Sequence, residues 1–478
     1  MLADFTHVIT AYVWPCLIAA LFFGGSIFVH ELGHFLAARR RGVHVERFSI
    51  GFGPPIFSWR GKDGVDYRLS WFPLGGYVLL PQMADLGAIE GESATDVSKL
   101  PPVGYATKMI VFVMGAVFNV LFAFALACIV WVVGQPSAGD LTTTTVAEVR
   151  PKLRTADNVD VVSPAAQAGL QAGDTIVAVD GHAVETFDDI RERLALSSGW
   201  GRDGERETVF SLLRDGRPLE LKLKPVLSGP EKLRMVGFSP VTKHVVGRVT
   251  AGTAADRAGF KLDDRITAIG GKTILSGQHF EDALRANLGK VTPFTVTRAG
   301  ATENLAVDLP ADIRDYAKLG LCLRTGLVMI HPTPFAQIAD SFTKTVTFLW
   351  GFINPRTDIN LSHAQGPIGI IGNFVDASRA GLPFVLWLTI LVNVNLAVLN
   401  LLPLPVLDGG HMLFATIGRL RGRSLPVNFI VAAQSAFLVL LLSVMLYVSF
   451  FDVRRKAREI RAERAEAAQP APAATPAK

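Results

Sequence analysis

Residues 28–35 read FVHELGHF, and they close an apolar run. Residues 8–29 carry no charged side chain, and about 20 apolar residues suffice to cross a bilayer as a helix. A span over roughly 8–34 therefore ends on two histidines and a glutamate. Ionisable side chains within a span are costly and normally face protein or water, so they mark a functional site. His30 and His34 are one helical turn apart, which puts both imidazoles on one face. H-E-x-x-H on a helix is the spacing with which two histidines reach one zinc ion. Glu31, beside the first ligand, is then placed to take a proton from a zinc-bound water. The blander alternative parks these residues at the headgroup level beside Arg39, Arg40 and Arg41. It explains neither the residue types nor their spacing.

The rest of the chain fits a membrane protein. Of 478 residues, 50% are hydrophobic and only 19% charged, with a net charge of +5. Nothing in that balance, and no basic groove with interleaved aromatics, points to nucleic acid. Cys16, Cys128 and Cys322 form no CxxC, which argues against a disulfide framework or a thiolate metal site. Further spans are expected at about 109–133, 381–407 and 426–451. The start MLADF lacks a basic region and Arg39–Arg41 follow like a stop-transfer flank, so the first segment reads as a retained helix. Lys and Arg near helix ends favour the cytoplasm. Arg39, Arg40, Arg41, Arg47 and Lys108 put the first loop inside, and Arg419, Arg421 and Arg423 do the same for the loop between spans three and four. The large 135–380 region then lies outside. Arg454, Arg455 and Lys456 break the pattern: either the rule fails there or the last segment does not cross fully.

The outer region repeats itself. AGLQAGDTIVAVDG at 168–181 aligns with AGFKLDDRITAIGG at 258–271, a shift of 90 residues, with Gly173 replaced by Asp263. Two tandem modules follow, over 143–228 and 233–311. The pattern resembles PDZ domains, which bind a peptide by adding it to a sheet edge. MVGFSP at 235–240 resembles the loop that holds a peptide's terminal carboxylate, so Gly237 and Phe238 are candidate peptide-binding residues. In the connector, 312–380, FAQIADSFTKTVTFLWGFIN at 335–354 has helical spacing. It fits either an interfacial helix or a helix packed on the second module. The tail, 452–478, ends in an Ala/Pro-rich stretch and is expected to be disordered.

A catalytic zinc usually has a third protein ligand and an open position for water. That ligand must lie at the depth of the histidines. The third span, running inward, ends in NLLPLPVLDGGH at 400–411 and brings Asp408 to that level. Pro403 and Pro405 break the helix there, which is tolerated in a membrane only where backbone is buried or lines a cavity. Asp408-Gly409-Gly410 could also be a plain turn, and His411 fits the turn better than the metal.

HELGH in the first span, NLLPLPVLDGG in the third and tandem PDZ-like modules between spans two and three resemble the site-2 protease family. The likeness is to its bacterial branch, which cleaves anti-sigma factors in the inner membrane, and it covers residues 1 to about 451. The resemblance implies zinc held by His30, His34 and Asp408, Glu31 as catalytic base, and Asn400 contacting the substrate backbone or the oxyanion. FSIGFGPPIFSWRGKDGVDYRLSWFPLGGYV at 48–78 looks like the family's membrane-associated β-hairpin. GAVFN at 115–119 stands where the family has Gly-Pro-x-x-Asn, with Ala116 in place of proline, and QGPIGI at 365–370 matches the segment before the third span. GKDG at 61–64 is itself a turn signal. An open strand edge in this hairpin, over 48–80, would hold an unwound substrate, with Tyr67, Leu69, Gly75 and Gly76 as candidates.

The expected fold is a polytopic α-helical membrane protein of about four spans, with a membrane-associated β-hairpin and two external α+β PDZ-like domains. Residues 1–134 hold spans one and two, and 381–451 hold spans three and four. The expected function is an intramembrane zinc endopeptidase that cuts transmembrane segments of single-pass proteins in regulated intramembrane proteolysis. Anti-sigma factors and signal-peptide remnants are the substrate candidates. The expected location is the bacterial inner membrane, with the modules in the periplasm and the active site near the cytoplasmic side. Expected partners are those substrates, the bilayer and peptide ligands of the modules. A catalytically silent membrane PDZ scaffold would need no Glu31. A metal transporter would need a polar path across the spans, whereas the polar positions cluster at one end.

Overall fold

The computed structural model describes residues 13–83, 99–138, 143–196, 206–229, 232–311, 319–325, 327–354, 357, 359, 361–423 and 425–468. The chain forms two units, one from 1–135, 331–350 and 360–478, the other from 136–330 and 351–359.

In the first unit the apolar runs become helices α1 (Trp14–Arg40) and α2 (Tyr105–Val133), then α3 (Pro334–Ile353), α4 (Pro367–Ala380), α5 (Leu382–Asn400), α6 (Asp408–Leu420) and α7 (Val427–Ala468). Among the described residues, α1, α2, α5 and Val427–Arg458 of α7 are long and apolar enough to cross a membrane. Hydrocarbon offers helices no hydrophobic drive to associate, so small residues at the crossings matter. Ala123, Ala127 and Val130 of α2 pack on Leu386, Ile390 and Val394 of α5. At the α1–α2 crossing a Cβ on Gly33 would strike the Met114 carbonyl. Buried polar groups are paired across helices: Asn393 Nδ2 donates to Ser26 Oγ (2.8 Å), which donates to the Phe22 carbonyl (2.8 Å).

Helix α3 makes a contact that neither reading of 335–354 named. Its polar stripe, Gln337, Ser341 and Thr345, is buried. Gln337 Nε2 donates to the Ala127 carbonyl (3.1 Å) and Thr345 Oγ1 to Asn395 Oδ1. Phe335, Phe342 and Trp350 are exposed. The helix thus packs polar side inward on α2 and α5, as an apolar solvent favours.

Helix α7 crosses the unit completely. It starts beside Phe414, where Leu425 and Ile430 cluster. At its far end Asp452 accepts the N–H groups of Gly366 and Gly369 (both 2.9 Å) at the N-terminus of α4. Helix α4 in turn packs Phe374 against Ile18, Phe22 and Phe23 in the first half of α1. The last segment, Val427–Arg458, is long and apolar enough to cross a membrane fully. A Cβ on Gly369 would meet the Asp452 carboxylate at 2.9 Å, which accounts for the glycines of QGPIGI. The disorder expected over 452–478 is corrected by the helix, which continues to Ala468. The Ala/Pro-rich end beyond it lies outside the described residues.

The hairpin strands β1 (Arg47–Arg60) and β2 (Asp66–Leu79) are both 14 residues long and bend back on themselves. Ser49 pairs with both Tyr77 and Arg68, and Arg68 pairs with Ser58 as well. Four segments therefore lie side by side, in the order 55–60, 66–70, 47–50, 76–79.

In the second unit the repeat is a structural one. Ala165, Leu170, Ile176, Val179 and Ile190 occupy the first core. Ala255, Phe260, Ile266, Ile269 and Phe280, each 90 residues on, occupy the second. Asp174 and Asp264 explain why the turn persists. Each is buried, each accepts a backbone N–H three residues back (Gln171, Lys261; 2.8 Å), and each pairs with an arginine (Arg214, Arg298; 2.7 Å). Each arginine also donates to the carbonyl of Gly169 or Gly259 (2.8 Å). Gly173 and Asp263 both have positive φ (95° and 70°), and aspartate is one of the few other residues that tolerates that conformation.

The module boundaries differ from those expected at 228 and 311. Strand Phe238–Pro240 pairs with Val146–Val149, and Val236 is in the first core. Strand Leu321–Thr325 pairs with His244–Val249, and Leu319 and Leu321 are in the second. Each module is closed by a strand that follows its body, so 235–240 completes the first module rather than opening the second.

Burial pushes the Asp264 carboxyl up, but Arg298 and the Lys261 N–H outweigh it and hold it below the ordinary carboxylate range. A lowered native value stabilises the fold above the unfolded pKa of about 3.9 and loses that contribution as pH falls through the native value. Asp264→Ala is therefore expected to cost the second module roughly 2–4 kcal/mol near neutral pH. The difference should shrink below about pH 4, read by amide hydrogen exchange on the intact protein.

Candidate metal centre

The C-terminal half of α1 presents His30 and His34 inward, both buried, with their Nε2 atoms 3.1 Å apart. Asp408 opens α6, and its Oδ2 lies 3.3 Å from each Nε2. What brings it there is the broken segment after α5. Gly409 lies so close to the Leu401 and Leu402 carbonyls, and Gly410 to that of Leu404, that no Cβ would fit. The glycines let α6 start directly beneath the turn. Asn400, the last residue of α5, points its Nδ2 at His30 Nε2 (3.2 Å).

The three donor atoms fit zinc. A tetrahedral ion with bonds of about 2.0–2.1 Å has ligand–ligand edges of about 3.3–3.4 Å, and the observed edges are 3.1, 3.3 and 3.3 Å. Asp408 Oδ2 is buried without a hydrogen-bond partner, which is costly unless something positive binds it. His34 Nδ1 is 2.8 Å from the Val111 carbonyl. A carbonyl only accepts, so Nδ1 carries the proton and Nε2 keeps its lone pair for a metal. Two histidines and a carboxylate leave one position open, as catalytic zinc sites require. Among the described residues His30, His34 and Asp408 are the one such group. His411 stacks on Phe112 instead (5.1 Å).

Residues 18–444 match peptidase family M50. The chain belongs to that family, the site-2 proteases. It is 30% identical over 475 residues to the regulator of sigma-E protease RseP of Escherichia coli K12, covering 92% of this chain and 99% of the relative. To the regulator of sigma E protease of Salmonella typhi it is 30% identical over 470 residues, covering 92% and 98%. To a protein named as a zinc metalloprotease from Neisseria meningitidis serogroup A it is 30% identical over 473 residues, covering 94% and 99%. This M50 peptidase is thus a zinc-dependent protease of the membrane.

The other candidate residues divide. Gly76 lies on the outer segment 76–79, and a Cβ there would come 3.0 Å from Glu31 Cγ and 2.9 Å from the Ser49 carbonyl. Gly75 backs onto the Phe52 ring. Tyr67 and Leu69 do not offer an edge. Their segment is paired on both sides, Tyr67 with Trp59 and Phe48, Leu69 with Phe57 and Ile50. Tyr67 also stacks on Trp59 (5.1 Å) and donates to Asp63 (2.9 Å). Gly237 (φ 89°) packs against Ser163, as Gly320 (φ 84°) packs against Thr253 in the second module. Phe238 faces Phe187 and Phe210 (5.5 and 6.2 Å). The metal centre also draws on α2, through the Val111 carbonyl and Gly115, whose missing side chain makes room for both imidazoles. A backbone acceptor has no sequence signature. GAVFN is legible as a motif, but its contacts depend on how α2 lies beside α1.

Proposed function

We propose that this M50 peptidase cleaves transmembrane segments of single-pass proteins at a zinc held by His30, His34 and Asp408. The observation that carries this is the His–His–Asp triangle of 3.1–3.3 Å edges where α1, a helix fit to span a bilayer, meets the start of α6. Zinc held there supplies a Lewis acid and lowers the pKa of water to near neutrality. Glu31, within electrostatic reach of all three ligands, takes the proton of the attacking water and passes it to the leaving amine. Asn400 donates its amide N–H to the developing oxyanion. The edge at Gly75–Gly76 holds the substrate backbone extended, which exposes a peptide bond that a helix would shield. An apolar cleft of about 760 Å³, lined by Phe124, Phe335, Ile338, Phe342 and Val394, ends at Leu401–Leu402, directly after Asn400, and suits an apolar segment.

Relatives named regulators of sigma-E protease favour an anti-sigma factor in the inner membrane as substrate. Arg39–Arg41 and Arg419–Arg423 favour a cytoplasmic active site with the modules in the periplasm. The modules are proposed to be PDZ domains that exclude large external domains or bind a terminus exposed by an earlier cut, through the loops at Gly237–Phe238 and Gly320–Leu321.

The test uses membranes and a single-pass substrate with or without its external domain. Wild type is expected to cut the shortened substrate well and the complete one poorly, and Asp408→Asn to cut neither. Equal cleavage by Asp408→Asn would remove the third ligand and the mechanism with it.

A further inference from the structure

We infer that Asn119 is a positioning residue for the metal centre: its amide oxygen accepts from His30 Nδ1–H and so turns the His30 Nε2 lone pair toward the metal. This deepens the zinc reading above and rests on it. Asn119 is fully buried on α2, with its amide nitrogen 3.2 Å from His30 Nδ1. Asn400 places its own amide nitrogen 3.2 Å from His30 Nε2. Two N–H donors therefore face the two nitrogens of one ring. A neutral imidazole has one N–H and one lone pair, so it cannot accept from both, and an imidazolium could accept from neither. One amide must be turned over, which shape alone does not distinguish.

The buried atoms identify it. Asn119 Oδ1 is buried with no hydrogen-bond partner, an arrangement that costs roughly 1–3 kcal/mol. Turning the Asn119 amide satisfies that oxygen with His30 Nδ1–H and leaves Nε2 unprotonated, its lone pair facing the Asn400 N–H and lying beside Asp408 Oδ2 and His34 Nε2. Helix α2 then serves both histidines from one face. Val111, Gly115 and Asn119 are spaced by one turn each: a carbonyl for His34, a gap for both rings, an amide oxygen for His30. The Ala116 that departs from the family pattern lies off this stripe, so the departure leaves it intact.

The test measures zinc affinity of the full-length protein in detergent by competition with a chromogenic chelator, together with the melting temperature of the zinc-free protein. Asn119→Leu, of similar size without an acceptor, is expected to weaken zinc binding 10–100-fold. Asn119→Asp, which keeps an acceptor for Nδ1–H, is expected to hold zinc clearly more tightly than Asn119→Leu. Should Asn119→Leu fail to insert, Asn119→Val makes the same comparison. Wild-type affinity in the apolar variants, or an equal loss in Asn119→Asp and Asn119→Leu, overturns the assignment. Failure of the wild type to hold zinc would instead strike the metal centre itself, so the two failures are distinguishable.

Discussion

Glu31→Gln is expected to lower cleavage of a membrane substrate by about a thousandfold while leaving zinc content and folding unchanged. General-base catalysis contributes roughly 10²–10⁴-fold, and glutamine keeps the shape of glutamate without its ability to hold a proton. The residue is well placed for that role alone. It follows His30 on α1, and it lies against Gly76 at the outer segment of the hairpin. Base and proposed substrate edge are thus neighbours. A glutamate serving only to pack the helix would have no reason to sit between a metal triangle and an open strand. Cleavage and zinc content measured on the same membrane preparation decide it. Full activity in Glu31→Gln would remove the base and favour a water activated by another group. Loss of zinc along with activity would make Glu31 structural.

Much of this site was legible in the sequence because its parts are local. His30 and His34 share a face by their spacing alone, and Asp408 could be matched to them by depth, since the charge pattern makes the first and third spans run the same way and end together. The features that escaped depend on distant chain segments. Strand Leu321–Thr325 completes the second module by pairing with His244–Val249, and the 90-residue repeat does not extend to it. The first module hides its closing strand in the same way, past a boundary drawn at 228. Tyr67 and Leu69 read as edge residues because a hairpin has two edges. They are interior because both strands bend back and enclose their segment. The helix at 335–354 has an ordinary amphipathic pattern. Only its neighbours reveal that its polar stripe faces inward and its apolar side outward.

Gly115→Ala is expected to reduce cleavage at least about a hundredfold, the penalty typical of an ångström-scale displacement at a reacting centre. The single methyl group would fall on His34 Nε2 and His30 Cε1, one of them a proposed ligand atom and the other part of the same ring as the second. The helices cannot separate to make room cheaply, because Gly33 of α1 is already pressed on the Met114 carbonyl of α2 at the same crossing. The imidazoles must therefore move, and the edges that match a tetrahedral ion are lost. Overpacking of this kind also costs roughly 1–3 kcal/mol. Gly24→Ala provides the contrast. It lies on the same helix α1 with nothing within 4 Å of its added Cβ. Removing a helical glycine there should be neutral or stabilise by up to about 1 kcal/mol. Zinc content, melting temperature and cleavage measured side by side separate the two effects. If Gly115→Ala lost stability but kept zinc and activity, the histidines would have room to shift together. The triangle of His30, His34 and Asp408 would then be set by α1 and α6 alone, without α2.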